Sequence, residues 1–269
     1  MKKGITAVAV FVVLSVGHEA GQSFARNSVA TKIIAGCIEA MGGKTVINAF
    51  RTLRLEVVYP DHGNAPVLNE FKRPNLIRME RPGEYVMIFN GRRGALLMVD
   101  PADSGRGLVP KVIPAEQMKG FEIDIAWFIP AFLDHPTEYA GTTERNGVKC
   151  FSLIATLPLG TRITYFLNAE TSLIRTIAID ETYEGKTYHM ERDWLDVQPV
   201  QGILYPSRMT YPGRDGKTYT AILKKIDINP VLDDNRFRLP GDDHDSFSRS
   251  LVYSGESEEK SHRSVGTIN

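Results

Sequence analysis

Apolar and polar positions alternate along most of this chain with the two-residue period of β-strands. The stretch Val148 to Asp180 shows it best. Three runs of strand length, Lys149 to Leu157, Arg162 to Leu167 and Leu173 to Ile179, are rich in Ile, Thr, Tyr and Phe. Pro158-Leu159-Gly160 parts the first from the second, and Asn168-Ala169-Glu170-Thr171 parts the second from the third. This pattern predicts antiparallel strands joined by hairpins. In the first run Phe151, Leu153, Ala155 and Leu157 share one face, while Ile154 shares the other with Cys150 and polar groups. A sheet with one richer face covers something with it. The covered object is either the protein's own core or a core that also admits an apolar ligand.

The same alternation predicts more strands on both sides. Before the central stretch they are Leu53 to Tyr59, Val67 to Lys72, Leu76 to Arg81, Tyr85 to Asn90 and Gly94 to Val99. Asp61 to Asn64, Arg73-Pro74, Pro82-Gly83 and Asn90-Gly91 supply the turns. After it come Thr187 to Val197, Ile203 to Tyr211 and Tyr219 to Ile228, with turns at Pro199 to Gly202 and Pro212 to Gly216. Asp227 to Pro240 reads as a short helical turn and an ending.

Two stretches depart from that period. Asn27 or Ser28 can cap a helix in which Val29, Ile33, Ile34, Cys37, Ile38 and Met41 fall on one face. Gly42-Gly43 ends it, and Thr45 to Phe50 adds a short helical turn. Pro114-Ala115-Glu116-Gln117 opens a second helix after a polar loop at Asp103 to Gly107. From Phe121 to Leu133 this second helix is apolar on all sides apart from Glu122 and Asp124, which argues burial on more than one face. Pro130 should kink or end it. A segment of this kind between two sets of strands is expected to plug or cover the sheet.

The ends have their own character. Lys2, Lys3, the apolar run Gly4 to Val16 and the small residues of Ser23-Phe24-Ala25 predict a signal peptide, residues 1–25, cleaved after Ala25. That run is too short for a membrane span, and no later run approaches one. The mature protein is then expected in a bacterial periplasm. Ile34-Ala35-Gly36-Cys37 formally matches a lipoprotein box, but Arg26, Asn27, Thr31 and Lys32 separate it from the apolar run, so a soluble chain beginning at Arg26 is expected. Residues 26–240 form one domain, and the Ser-, Glu-, Asp- and Lys-rich residues 241–269 a disordered tail.

Charge narrows the partners. The formal net charge is zero, and removal of Lys2, Lys3 and Glu19 with the signal leaves −1. Nothing here argues for nucleic acid or an anionic membrane surface. The length allows a single large β domain with a sizeable core. Cys37 and Cys150 could join in an exported protein, and their sequence separation leaves the pairing open.

Catalytic signals are weak. Of six histidines, His18 leaves with the signal, and His244 and His262 lie in the tail. His62, His135 and His189 lack the paired spacing of a metal site, and neither an HExxH nor a Cys-pair pattern occurs. There is no Gly-x-Ser-x-Gly elbow. Asp180, Glu181 and Glu184 lie close in sequence, as do Asp233, Asp234, Asp242 and Asp243. Carboxylate pairs serve glycosidases, but adjacent acids in turns are ordinarily solvated. Neither an enzyme, nor a cofactor, nor a metal is expected.

One layout draws these features together. It runs through the helix ending in Gly42-Gly43, the entry Phe50-Arg51-Thr52-Leu53, the run Arg73-Pro74-Asn75-Leu76-Ile77-Arg78-Met79-Glu80, and Phe89-Asn90-Gly91. Gly202-Ile203-Leu204-Tyr205-Pro206 and the segment from Ile228-Asn229-Pro230 to Phe237-Arg238-Leu239-Pro240 complete it. This order resembles the LolA/LolB-like lipoprotein-carrier (lipoprotein-sorting) family of the bacterial envelope. The resemblance implies a mainly β (α+β) fold: a curved, incompletely closed antiparallel β-barrel with helices covering its concave face and an apolar cavity for acyl chains. It carries over no single polar residue. The expected lining is Leu55, Val57, Ile77, Met79, Met87, Phe89, Trp127, Phe128 and Phe132. The expected role is a periplasmic carrier in outer-membrane lipid or lipoprotein trafficking. Its partners would be a lipid or lipoprotein acyl chain and an envelope transporter or receptor protein. A small barrel can also be filled by its own side chains. The rival functions are an interaction or stress-sensing module on the same fold and, less favoured, an envelope hydrolase.

Overall fold

The computed structural model describes residues 13–99, 108–113, 117–183, 186–213 and 215–241. The first half of the expected signal peptide, the Asp103 to Gly107 loop, Pro114 to Glu116, Glu184 and the tail from Asp242, with its acids and histidines, lie outside them.

Among the described residues the chain makes thirteen strands and three α-helices. The first set of strands is β1 (Thr52–Val58), β2 (Val67–Lys72), β3 (Leu76–Arg81), β4 (Tyr85–Phe89), β5 (Gly94–Val99) and β6 (Leu108–Val112). The second is β7 (Thr137–Arg145), β8 (Val148–Thr156), β9 (Arg162–Asn168), β10 (Ile174–Tyr183), β11 (Lys186–Val200), β12 (Ile203–Pro212) and β13 (Thr218–Ile228). All lie in one antiparallel sheet of order β6-β5-β4-β3-β2-β1-β13-β12-β11-β10-β9-β8-β7. The sheet is an incompletely closed barrel, since β6 and β7 are its two free edges. β1 and β13 join the two sets, from Leu53 opposite Ile228 to Val58 opposite Ile222, with an irregularity at Glu56/Val57.

Alternation places the core. Leu53, Leu55 and Val57 of β1, Phe71 of β2, Ile77 of β3 and Phe89 of β4 point inward and are fully buried. Leu153, Ala155, Ile163, Tyr165, Ile177, Ile179, Tyr205 and Met209 answer them from the other set. In β8 the expected inward face holds for Leu153 and Ala155, and Leu157 follows just beyond the strand, whereas Phe151 is only half-buried. β4 is covered on both faces. Its outward Val86 and Ile88 pack with Leu97 and with Leu239 of the C-terminal segment. Just before Leu239 a 3-10 turn, Asp234–Phe237, is tied to the same convex side by Arg236, whose guanidinium reaches Glu70 along with that of Arg54.

α1 (Val13–Met41) and α2 (Lys44–Ala49) lie at one end of the sheet, against β7 and β12. α1 runs on past the cap expected at Asn27 or Ser28 as a continuous helix, within which Thr31 Oγ1 donates to the Asn27 carbonyl at 2.9 Å. Ala30, Cys37 and Met41 carry its buried stripe, with Ile33, Ile34 and Ile38 half-buried, while Val29 is exposed. Gly42 ends the helix with φ 140°, and a Cβ there would meet the Gly202 carbonyl at 2.2 Å. Both cysteines are free and buried, and burial pushes the Cys37 thiol up to about 12.

α3 (Met118–Phe128) sits inside the concave face. Ile129 caps it in an extended conformation, as Pro130 requires of the residue before it, and Ala131–Leu133 forms a 3-10 turn. Phe121, Glu122, Ile123, Ile125, Ala126, Trp127 and Phe128 are all buried, so from Phe121 onward the helix is enclosed except at the half-buried Asp124.

Candidate functional site

α3 is the element around which the concave face is built. A buried helix end leaves carbonyls without intrahelical partners. Here the sheet supplies donors. Tyr205 Oη donates to the Phe128 carbonyl at 2.6 Å, Trp194 Nε1 to the Trp127 carbonyl at 3.2 Å and Tyr165 Oη to the Ala126 carbonyl at 3.2 Å. The Tyr165 oxygen also accepts from the Ala131 amide at 2.8 Å. Burial drives both phenols well above the usual tyrosine range, so each stays a proton donor. The C-terminal end of the plug is thus fastened to β9, β11 and β12.

The other end is held differently. Phe121 stacks on Phe89, with centroids 5.2 Å apart and rings 9° from parallel. Glu122 is buried, and its carboxylate accepts from the Leu159 amide in the β8–β9 turn at 3.1 Å while its second oxygen has no partner. Burial raises its pKa, an effect the Leu159 bond opposes.

Two clefts flank the plug. The larger, about 490 Å³, opens at the end of the sheet where β1 and β12 finish and β11 and β13 begin. Trp127 forms its floor. His62, Tyr211 and Tyr219 make one wall, and Tyr188, His189, Met190, Glu191 and Arg192 the other. His62 stacks on Tyr219 at 5.1 Å, and Tyr219 on Tyr211 at 5.8 Å. The second cleft, about 160 Å³, lies between Met87 and Leu96 on the sheet and Gly120, Phe121 and Asp124 on the helix. Tyr59 sits between the charges of the two sides. Burial pushes its phenol up to about 12, Arg192 opposes that shift, and Asp124 adds to it. A third hollow, beside Pro130 and Leu157, holds only about 10 Å³.

The nine residues expected to line a cavity divide into two groups. Leu55, Val57, Ile77, Phe89, Phe128 and Phe132 pack in the core around α3, with Phe128 on Phe71 at 5.4 Å and Phe132 edge-on to Tyr165 at 5.1 Å. Met79 is half-buried against the same cluster. Trp127 and Met87 face open space, one in each cleft. The aromatic and cationic walls of the larger cleft were not anticipated. The spacing Tyr188, Met190, Arg192, Trp194 is the one sequence signal for them, because period two puts these four on one face of β11.

The histidines lie outside any metal arrangement, and no metal-holding group of His, Cys, Asp and Glu occurs among the described residues. His189 sits between Asp180 at 2.7 Å and Glu191 at 2.9 Å, and Glu191 also pairs with Arg145. His135 is half-buried and its pKa is lowered by burial.

No protein-family model and no curated protein matches the chain. Solved structures similar to it include a DUF1329 family protein from Desulfovibrio piger, 14% identical over 80% of this chain and 97% of that one, with a TM-score of 0.49. A putative outer membrane lipoprotein-sorting protein domain from Vibrio parahaemolyticus is 11% identical over 80% and 97%, TM-score 0.45. A LolA superfamily protein from Nitrosomonas europaea is 11% identical over 70% and 89%, TM-score 0.42. These neighbours include the group that the sequence resembles. At such identities and scores the likeness bears no weight on function, which rests on this chain's own geometry.

Proposed function

We propose that this protein is a periplasmic carrier that binds the acyl chain of a lipid or lipoprotein beneath α3, a binding protein and not a catalyst, serving outer-membrane lipid or lipoprotein traffic. One observation carries the reading. An apolar helix is enclosed by the concave sheet, fastened at its Phe128 end by three sheet side chains, and flanked by a cleft on each side. With that end as pivot, an outward swing of the Met118 end would join the two clefts along the face lined by Met87, Phe89 and Trp127. The chain would then exchange for the helix on the same apolar surface. The driving force is removal of apolar area from water, about 25 cal/mol per Å² before ordering costs. Discrimination among chain lengths should be modest, about 0.8 kcal/mol per methylene.

Export rests on the Lys2 to Ala25 pattern. No helix among the described residues is long and apolar enough to cross a membrane. An envelope transporter or receptor would load or unload such a carrier.

Trp127 reports on the site directly. In a Trp194→Phe variant, titration with myristate or a diacyl lipopeptide should shift its emission, and an organic extract of the purified protein should contain lipid by mass spectrometry. A Trp127 signal indifferent to every apolar ligand, with a protein co-purifying in place of lipid, would leave the interaction module as the better account.

A further inference from the structure

Many arginines of this fold pair with carboxylates, and Arg192 is not one of them. Arg54 and Arg236 pair with Glu70, Arg73 with Asp134, Arg145 with Glu191, Arg162 with Glu138 and Arg208 with Asp196. The Arg192 guanidinium makes neither a hydrogen bond nor an ion pair among the described residues. Its guanidinium lies instead over three rings, 4.7 Å from the Trp127 centroid, 5.4 Å from Tyr211 and 5.9 Å from Phe128. It is half-buried, opposite Ile177 on the inward face of the sheet. The neighbouring Glu191 also lines the cleft, and its carboxylate is already taken by Arg145 and His189.

This arrangement leaves a specific vacancy in bonding. Stacking on aromatic rings uses the faces of a guanidinium and leaves its in-plane N–H donors unspent. Those donors lie in a cleft of about 490 Å³ whose floor is Trp127 and whose walls are mostly rings. A cation held by rings in such a place, with its fork unused, is matched by a planar or tetrahedral oxyanion, which such a fork can grip bidentately. The apolar floor beneath it is continuous with the plug.

We infer that Arg192 is the head-group receptor of the larger cleft, selecting amphiphiles that carry a carboxylate or phosphate beside the acyl chain. The inference rests on the carrier reading and names its ligand class. The Arg192 fork takes the anion at the mouth, while the chain runs past Trp127 along the face of α3. The near-zero net charge of the whole protein gives no long-range attraction for anions, so selection is local to this one guanidinium.

The experiment compares myristate, methyl myristate and tetradecyl phosphate on the full chain by calorimetry, against Arg192→Met and Arg192→Lys. The wild type should bind the acid and the phosphate about tenfold or more tighter than the ester. Arg192→Met should bind all three alike, at the affinity of the ester for the wild type. Should Arg192→Met prove unfolded by thermal melting, Arg192→Lys decides: it keeps the charge but loses the fork, so the preference should shrink. Acid and ester bound equally by the wild type would overturn the inference and leave the carrier intact. Binding of none of the three would sink the carrier reading itself. Acetate or inorganic phosphate binding as tightly as the amphiphiles would make the site a receptor for free anions and overturn the inference too.

Discussion

α1 and α3 are both helices with apolar surface against the same sheet, yet they are built on opposite terms. α1 has one buried stripe, Ala30, Cys37 and Met41, and closes its end with its own backbone: the Gly42 amide bonds the Glu39 carbonyl and the Gly43 amide the Ile38 carbonyl. α3 is buried on most sides from Phe121 onward and closes its end with side chains of the sheet, Tyr165, Trp194 and Tyr205. The difference teaches that a stripe makes a cover while an all-round apolar helix makes a filling. A cover supplies its own end bonds. A filling borrows its hydrogen bonds from the wall, so its position is a property of the wall as well.

Five variants would break or sharpen that contrast. The largest effect is expected from Phe128→Asp. This ring is 2% exposed against Phe71, and burying a carboxylate in its place should cost about 4 kcal/mol in urea unfolding, even with Arg192 nearby. Val29→Asp on the exposed side of α1 should stay within about 0.5 kcal/mol. Gly42→Ala comes next, at about 3 kcal/mol, because the left-handed φ and the Gly202 carbonyl both resist a Cβ. Tyr205→Phe should cost about 2 kcal/mol by leaving the Phe128 carbonyl without its donor. It should also speed amide exchange at the end of α3 and leave α1 untouched. If Tyr205→Phe loosened both helices equally, the distinction between cover and filling would fail.

The smallest effect lies at the rim beside the plug. Hydrogen bonds that His189 donates to the carboxylates of Asp180 and Glu191 raise its pKa above the ordinary value. The stabilisation is therefore complete below about pH 6.5, the unfolded value, and is lost as pH rises through the folded one. His189→Gln should remove that slope from thermal melts taken between pH 6 and pH 8, roughly the window in which an imidazole titrates. The side chain is more than half exposed, so the change in slope should be slight.

Much of this architecture was legible from alternation. The strands from Leu53 to Val99 and from Val148 to Ile228, the Gly42-Gly43 stop and the break at Pro130 all stand where the pattern put them. Two edge strands did not announce themselves. β7, Thr137–Arg145, is mostly exposed or half-buried and so lacks an apolar face to read. Its signal was the adjacent Asn146-Gly147 pair, both at positive φ, 49° and 75°, as a tight hairpin needs. β6 carries Pro110, which only an edge tolerates. In the site, alternation told which side chains point inward but could not tell how far α3 fills the space they enclose. The larger cleft is assembled from His62, Trp127, the starts of β11 and β13 and the end of β12, far apart in sequence, and only folding reveals Arg192 lying over Trp127.

The strand order also sets a schedule. Each set of strands is a meander of near neighbours, and such local pairings form readily. The seam between the sets joins β1 to β13, the first strand made to the last. α3 lies between the two sets in the chain, so during synthesis it is laid down before the strand that shuts the seam exists. The topology therefore does not require a helix to be threaded into a finished container, since the sheet can close around it when the last strand pairs with the first.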